Sequence, residues 1–218
     1  MDSETKTPDE LFHHTALPQE RSIRLLRIAR DVADSIAITV DAFALDQLPE
    51  YEALSYTWGK ATLQDDEVES DDPGIHQNII IDSMPYTINE NLYDGLWELR
   101  EELHGYLWVD ALCIDQTNDQ ERASQVTLMG EIYSSAKRVV IWLGKETPEV
   151  EAVIWLSSHY WDAFAAKVPP GMMASYFGLS PSQWTQLWEH HSAFYRRYRW
   201  FQRAWVRPHE SPSGSVHS

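Results

Sequence analysis

The chain has 218 residues, and 34 Asp and Glu residues against 17 Lys and Arg residues give it a formal net charge of −17. This acidity argues against unaided binding to nucleic acid or to an anionic membrane, because phosphates would repel the chain. A single cysteine excludes an internal disulfide, and no apolar run approaches the roughly 20 residues of a membrane span. The acidic N-terminus is typical of neither a signal peptide nor a transit sequence, so we expect a soluble, cytoplasmic protein.

The first half of the chain predicts a sheet that follows a loose tail. Residues 1–20 show no periodicity and are expected to form a disordered tail. An acidic loop is predicted at residues 64–74, and a short β-hairpin after it over residues 78–88. Apolar or alternating patterns predict strands at residues 22–28, 35–43 and 52–58.

Helices and buried strands alternate in the next part of the chain. Asn89 is placed to cap a helix that runs to about residue 104. The nearly continuous apolar run at residues 106–114 predicts a strand buried on both faces. Asn118 and Glu121 have the spacing of a capping box. The helix that they open is expected to reach residue 136, and a strand is expected at residues 138–143.

A strand, a helix and a strand joined by short connections form a βαβ unit, which favours a parallel sheet. Residues 149–166 and 181–197 also have helical patterns and are separated by a Pro-Pro-Gly break. The predicted fold class is therefore α/β. We expect a mainly parallel sheet with flanking helices, an N-terminal β-hairpin element and a helical insertion.

Most signatures of known chemistry are missing from the sequence. It contains no GxGxxG or GxxxxGK[ST] loop, no HExxH motif and no paired CxxC motif, so neither a nucleotide loop nor a metal site is predicted. Cys113 lies in an apolar run and is interpreted as a core residue rather than a nucleophile. Arginines alternate with aromatic residues over 195–207, as in some nucleic-acid sites, but packing on the acidic remainder of the chain is favoured.

Polar residues collect where two predicted strands end. Ligands of open α/β sheets bind at such ends, close to helix N-termini. Each of these residues could also serve only to form a turn, cap a helix or fill the core. Without further information, this structural interpretation is favoured over a ligand site. The candidates are Ser55, Tyr56, Trp58 and Gly59 at the end of one strand, and Asp110, Asp115, Gln116 and Glu121 near the other.

Three ordered segments resemble the signatures of the fungal heterokaryon incompatibility (HET) domain family. They read YEALSYTWG at residues 51–59, LWVDALCIDQTNDQERASQVTLMGEIYSSAKRVVIWLG at residues 107–144, and RWFQRAWV at residues 199–206. The resemblance extends over roughly residues 22–210. Its signature residues here are Tyr56, Trp58, Gly59, Asp110, Asp115, Gln116, Glu121, Arg203 and Trp205.

The resemblance implies a role in non-self recognition between fungal strains, with the HET domain as the effector of programmed cell death. It also implies a distant likeness to TIR domains, which have a flavodoxin-like fold and of which some cleave NAD. In those enzymes a glutamate follows a Trp-containing segment, and Glu210 is the residue that this likeness carries over. In the HET pattern, Gln-Glu follows shortly after a Trp-Val pair. Glu210 lies one position further along the chain than that glutamate, and it follows Pro208, which restricts the backbone. We therefore expect a C-terminally truncated HET domain at residues 21–206 and a disordered or non-native tail at residues 207–218.

Three hypotheses follow from the resemblance. The first is an effector that works through protein partners or self-association, without cofactor or metal. The second is an NAD-cleaving enzyme in which Glu210 is catalytic, Trp58 or Trp205 stacks on a ring of NAD, and Asp110 or Asp115 binds ribose hydroxyls. The third is a truncated relative without activity.

Overall fold

The computed structural model describes residues 11–30, 35–63 and 75–202. These residues fall into two compact units. The first contains residues 11–30, 35–60 and 75–142, and the second contains residues 61–63 and 143–202. Within the described ranges, no helix combines the length and the apolar character that crossing a membrane requires.

The described part of the first unit contains a seven-stranded sheet with the order β5-β4-β2-β1-β6-β3-β7. The pairs β2–β4, β3–β6 and β3–β7 are parallel, whereas β1–β2, β1–β6 and β4–β5 are antiparallel. The strands are β1 Ser22–Ile28, β2 Ala37–Ala44, β3 Tyr51–Ser55, β4 His76–Ile81, β5 Met84–Asn89, β6 Tyr106–Trp108 and β7 Arg138–Ile141.

The α/β class is confirmed, and the predicted N-terminal β-hairpin is the antiparallel pair β1–β2. The sheet itself is mixed, so the expectation of a mainly parallel sheet needs correction. The reason is topological: the β1–β2 hairpin lies inside the sheet, between β4 and β6, and the β4–β5 hairpin forms one edge. Each hairpin has antiparallel strands, and only the strands joined by longer connections can run parallel.

The β4–β5 hairpin turns at Asp82 and Ser83, whose φ angles are +47° and +71°. Two consecutive central residues in the left-handed region are typical of a type I′ turn, whose twist matches that of the flanking strands. The hairpin predicted over residues 78–88 is therefore confirmed.

Three α-helices accompany the sheet in the described part of the first unit, α1 Glu90–Leu99, α2 Asp110–Cys113 and α3 Asp119–Ser135, together with the 3₁₀ helix Leu45–Gln47. Both predicted N-caps are confirmed. Asn89 Oδ1 accepts from the Leu92 backbone N–H at 2.8 Å. Asn118 Oδ1 accepts from the backbone N–H groups of Gln120 and Glu121, at 3.1 Å each. These contacts satisfy donors that the first helical turn leaves free.

The prediction of one continuous strand over residues 106–114 is wrong. The strand β6 ends at Trp108, and the short helix α2 follows it. The backbone N–H groups of Leu112 and Cys113 donate to the Val109 carbonyl, at 3.1 and 2.8 Å. Leu112 and Cys113 are fully buried, and a buried helical turn has the same continuous apolar pattern as a buried strand.

Residues 11–20 have neither helix nor strand but are tied to the sheet region by hydrogen bonds. The Phe12 backbone N–H donates to the Pro85 carbonyl at 3.3 Å. The His14 ring nitrogen Nε2 lies 2.8 Å from the Leu112 carbonyl oxygen. These contacts bring this segment next to the α2 region described below.

The described part of the second unit is helical. Its helices are α4 Pro148–Ala165, α5 Met173–Tyr176 and α6 Pro181–Arg197, so both predicted helices are confirmed. α4 packs against α6. The pair is fixed near the end of α6, where Arg197 donates to Glu149 at 2.8 Å and the hydroxyls of Tyr198 and Thr147 lie 2.8 Å apart. The last described turn is a 3₁₀ helix, Arg199–Gln202.

Candidate functional site

The candidate residues of the first unit lie at the carboxyl ends of two neighbouring strands. β3 and β6 are parallel, with Ala53 opposite Trp108. The segment after β3 and the start of α2 therefore meet at the same edge of the sheet. The structure thus brings Trp58 and Asp110 together, as the sequence predicts.

Asp110 is the hydrogen-bond acceptor at the centre of this edge. Its Oδ2 accepts from the Trp58 indole N–H at 3.1 Å, and its Oδ1 accepts from the Ala111 backbone N–H at 2.8 Å. The carboxylate is buried, with 8% of the residue exposed, whereas 47% of Trp58 is exposed. Asp110 therefore fixes an indole ring that still presents much of its surface to solvent.

Gln116 and Asp115 order the turn between α2 and α3. The Gln116 side-chain amide donates to the Asp110 carbonyl at 2.9 Å. Asp115 Oδ1 accepts from the Thr117 backbone N–H at 3.0 Å and from its hydroxyl at 2.7 Å. Burial opposes ionisation of Asp115, but the Thr117 hydrogen bonds, with His14 and Arg24, lower the pKa of its carboxyl.

Glu121 forms a buried ion pair with Arg24 of β1. The Arg24 guanidinium donates to both carboxylate oxygens, at 2.5 and 3.0 Å, and the two side chains are only 3% and 9% exposed. The same guanidinium donates to the backbone carbonyls of Cys113 and Thr15, at 3.0 and 2.6 Å. Arg24 thereby ties β1, α2, α3 and the N-terminal segment to one point.

The predicted capping box is wrong in one of its two hydrogen bonds, because the Glu121 side chain does not accept from the Asn118 backbone N–H. Its Oε1 accepts from the Asp115 backbone N–H at 2.8 Å, and the Asn118 backbone N–H donates to the Asp115 carbonyl instead. The carboxylate turns toward the sheet because Arg24 offers a bidentate, charged partner, which is stronger than a backbone amide. Burial raises the pKa of Glu121, but the hydrogen bonds from Arg24 and Asp115 outweigh it, and the pKa is lowered.

Sequence reasoning missed Arg24, which lies 97 residues from Glu121. A signal was present, since Arg24 stands between the apolar residues Ile23 and Leu25 of β1, and a buried arginine has to find a partner. The sequence alone did not identify that partner.

The segment after β3 is anchored by a second network. Tyr56 is buried, and Gly59 has a φ of +77°, a conformation that favours glycine. The Asn91 side-chain amide donates to the Thr57 carbonyl at 2.8 Å, and the Trp142 indole N–H donates to Asn91 Oδ1 at 2.9 Å. Asn91 and Trp142 were also absent from the predicted site, because they lie in α1 and after β7.

Cys113 is unsuited to nucleophilic chemistry. The residue is fully buried, and burial raises the pKa of its thiol to about 12. The thiolate that a nucleophilic cysteine needs is therefore negligible at neutral pH. The interpretation of Cys113 as a core residue is confirmed.

The remaining predicted residues are not part of this geometry. Arg203, Trp205 and Glu210 lie outside the described residues. Over residues 11–30, 35–63 and 75–202, no group of three or more histidine, cysteine or acidic side chains is arranged to hold a metal ion. What the described part of the site offers is an exposed indole whose orientation is fixed by Asp110, a carboxylate that already accepts two hydrogen bonds.

These features define an α/β domain with a rigid polar turn at the strand ends. The heterokaryon incompatibility protein (HET) family matches residues 51–207, and the chain belongs to this family. It is 33% identical over 141 residues to heterokaryon incompatibility protein 6, OR allele, of Neurospora crassa. That match covers 61% of this chain but 20% of the relative, so the chain corresponds to about a fifth of that protein. No solved structure matches the chain.

Proposed function

We propose that this HET domain acts in heterokaryon incompatibility as an effector of cell death that works through contacts with protein partners. The observation that carries the proposal is the family match over residues 51–207, which includes all three signature segments. The name of the Neurospora relative supports the same biological role. We further propose that this activity belongs to fungal non-self recognition.

The geometry of the site favours binding over acid–base chemistry. Asp110, Asp115 and Glu121 each accept at least two hydrogen bonds from other side chains or the backbone. Such carboxylates serve to position the turn. Trp58 combines a fixed ring with substantial exposure, which is typical of a residue that anchors a protein contact.

Induced expression in a fungal host tests this role. The wild-type chain should stop growth and kill the cells, and Trp58→Ala should reduce killing severalfold without lowering the melting temperature by more than a few degrees. Val126→Ala is the matched control, because Val126 is similarly exposed but lies on α3 outside the site. Equal killing by Trp58→Ala and Val126→Ala would contradict a binding role for Trp58. Full growth with soluble wild-type protein would favour the inactive relative.

A second candidate function is hydrolysis of NAD. One observation favours it: the exposed, oriented ring of Trp58 lies at the carboxyl ends of parallel strands, where ligands of open α/β sheets bind. Water would attack the anomeric carbon of the ribose, the bond to nicotinamide would break, and nicotinamide would leave. Glu210 would stabilise the oxocarbenium-like transition state by its negative charge.

Nicotinamide release from NAD by the purified chain tests this candidate. Enzymatic turnover should be lost in Glu210→Gln and kept in Glu98→Gln, since Glu98 is an exposed residue of α1. The absence of turnover in the wild type, or equal turnover in both variants, would exclude catalysis by Glu210.

A further inference from the structure

Helix α4 of the second unit has two apolar faces. Ala152, Leu156 and Ala163 are buried, whereas Ile154, Trp161 and Phe164 have 57%, 66% and 62% of their surfaces exposed. At 100° per residue, the two sets lie on nearly opposite sides of the helix. Since one apolar face is enough to pack a helix on its own domain, the exposed one is unexplained by folding.

We propose that this outer face of α4 pairs with the same face of a second copy of the chain. This surface would serve the protein contacts proposed above, but the evidence for it is the geometry of α4 and the charge of residues 143–202. It concerns the outer face defined by Ile154, Ser157, Trp161 and Phe164.

The outer face can pair with itself in a two-fold register. In an antiparallel pair about a two-fold axis, Trp161 lies opposite Ser157 of the second copy when Ile154 lies opposite Phe164. A small exposed residue thus faces the largest one, and two apolar side chains face each other. Such self-matching is what an isologous dimer interface requires. The ring of Phe164 already contacts that of Trp161 edge to face, with centroids 5.6 Å apart, which fixes the shape of the surface.

The distribution of charge also favours a second copy as the occupant. Residues 143–202 contain five acidic and five basic residues, whereas the whole chain carries a charge of −17. Within α4, Glu151 and Asp162 lie at the border of the outer face and none of its central positions is charged. Two copies can therefore meet here without bringing like charges together, although most other orientations would oppose acidic surfaces.

The size of the face predicts a weak dimer. Two aromatic residues and one isoleucine bury on the order of 400 Å² per copy. The total for two copies, about 800 Å², is below the roughly 1,200 Å² at the low end of stable interfaces. We therefore expect a reversible dimer that dissociates on dilution. Higher salt should strengthen it, because salt screens the repulsion between acidic copies.

Sedimentation velocity of the full chain over a range of micromolar concentrations tests the proposal. The wild type should change from monomer to dimer as concentration rises. The double variant Trp161→Ser, Phe164→Ser should weaken the association at least tenfold with an unchanged melting temperature. Val126→Ser, which removes a 56% exposed side chain from α3, should associate as the wild type does.

Crosslinking gives a second test that does not depend on losing apolar area. Ser157→Cys places a thiol on the outer face, and the native Cys113 is fully buried. A short bismaleimide should yield covalent dimers of Ser157→Cys but not of Ser134→Cys, which places an exposed thiol on α3. A monomeric wild type at every concentration, or crosslinking that is equal for both variants, would overturn the proposal. Neither result would bear on cell death, which is measured separately in the host.

Discussion

At the residue scale, the ion pair of Arg24 and Glu121 decides how the polar turn is held. Breaking a buried pair leaves an uncompensated charge, which typically costs 3–5 kcal/mol. We expect Glu121→Gln to lower the free energy of unfolding by about 3 kcal/mol, since glutamine keeps the shape but not the charge. Urea unfolding followed by circular dichroism measures the change.

The exposed pair of Arg21 and Glu131 provides the control for that measurement. Its side chains are 61% and 47% exposed, and a single guanidinium nitrogen, Arg21 Nη2, donates to both carboxylate oxygens of Glu131, at 2.7 and 2.9 Å. Solvent screens such a pair, so Glu131→Gln should change the free energy of unfolding by less than about 1 kcal/mol. Equal losses in both variants would show that the buried pair has no special role.

The lowered pKa values of Asp115 and Glu121 predict acid sensitivity. A carboxyl group whose pKa is lower in the folded state stabilises the fold above its unfolded pKa, near 4. That contribution is lost as the pH falls through the folded pKa. The urea midpoint should therefore fall below about pH 5. It should fall less steeply in Glu121→Gln, and an identical pH profile for variant and wild type would contradict this assignment.

At the element scale, two helical glycines give opposite predictions. A Cβ atom at Gly95 in α1 would lie 3.0 Å from the ring of Trp142, which is itself held by its hydrogen bond to Asn91. At Gly130 in α3, a Cβ would meet nothing within 4 Å. Gly130→Ala should raise the free energy of unfolding by about 0.5–1 kcal/mol through helix propensity.

Gly95→Ala should instead lower the free energy of unfolding, because the clash with an anchored ring exceeds the gain in helix propensity. Thermal unfolding of both variants beside the wild type gives the comparison. If Gly95→Ala is as stable as Gly130→Ala, Trp142 moves freely and does not brace α1.

The cap of α3 gives another prediction at this scale. Asn118 accepts from two backbone N–H groups, so Asn118→Ala should cost about 1 kcal/mol of unfolding free energy. Gln120→Ala, at an exposed position two residues later, should cost little. The difference between their urea midpoints isolates the cap.

Local patterns in the sequence predicted most elements of this fold but not their arrangement. The caps at Asn89 and Asn118 were predictable because a cap depends on neighbours a few residues away. Residues 106–114 were assigned to one strand, since full burial removes the periodicity that separates a strand from a helix. The position of the β1–β2 hairpin in the middle of the sheet depends on pairing with strands that are distant in the sequence, and local sequence patterns do not indicate such pairing.

The sequence indicated the polar residues of the candidate site, but it did not indicate the residues that hydrogen-bond to them. Trp58 ends one predicted strand and Asp110 lies within another, and parallel pairing of neighbouring strands made their proximity possible to expect. Arg24 and Asn91 reach the site from other elements, and only the folded chain brings them there. The predicted roles of Arg203, Trp205 and Glu210 remain predictions, because these residues lie outside the described ranges.

At the scale of the whole molecule, the chain combines a rigid α/β unit with a helical unit that exposes apolar side chains. The first unit offers one oriented tryptophan beside a carboxylate that already accepts two hydrogen bonds. The second offers the outer face of α4. Both features suit recognition between proteins, and this agrees with an effector that acts by contact.

The most direct test measures viability and total NAD together in a fungal host after induction of the wild-type chain. Glu210→Gln and Glu98→Gln are expressed beside it at equal soluble levels. We predict that the cells die while NAD stays at the level of uninduced cells, and that both variants kill as the wild type does. Loss of NAD before death, prevented by Glu210→Gln alone, would contradict an effector that acts by contact and would establish an enzyme.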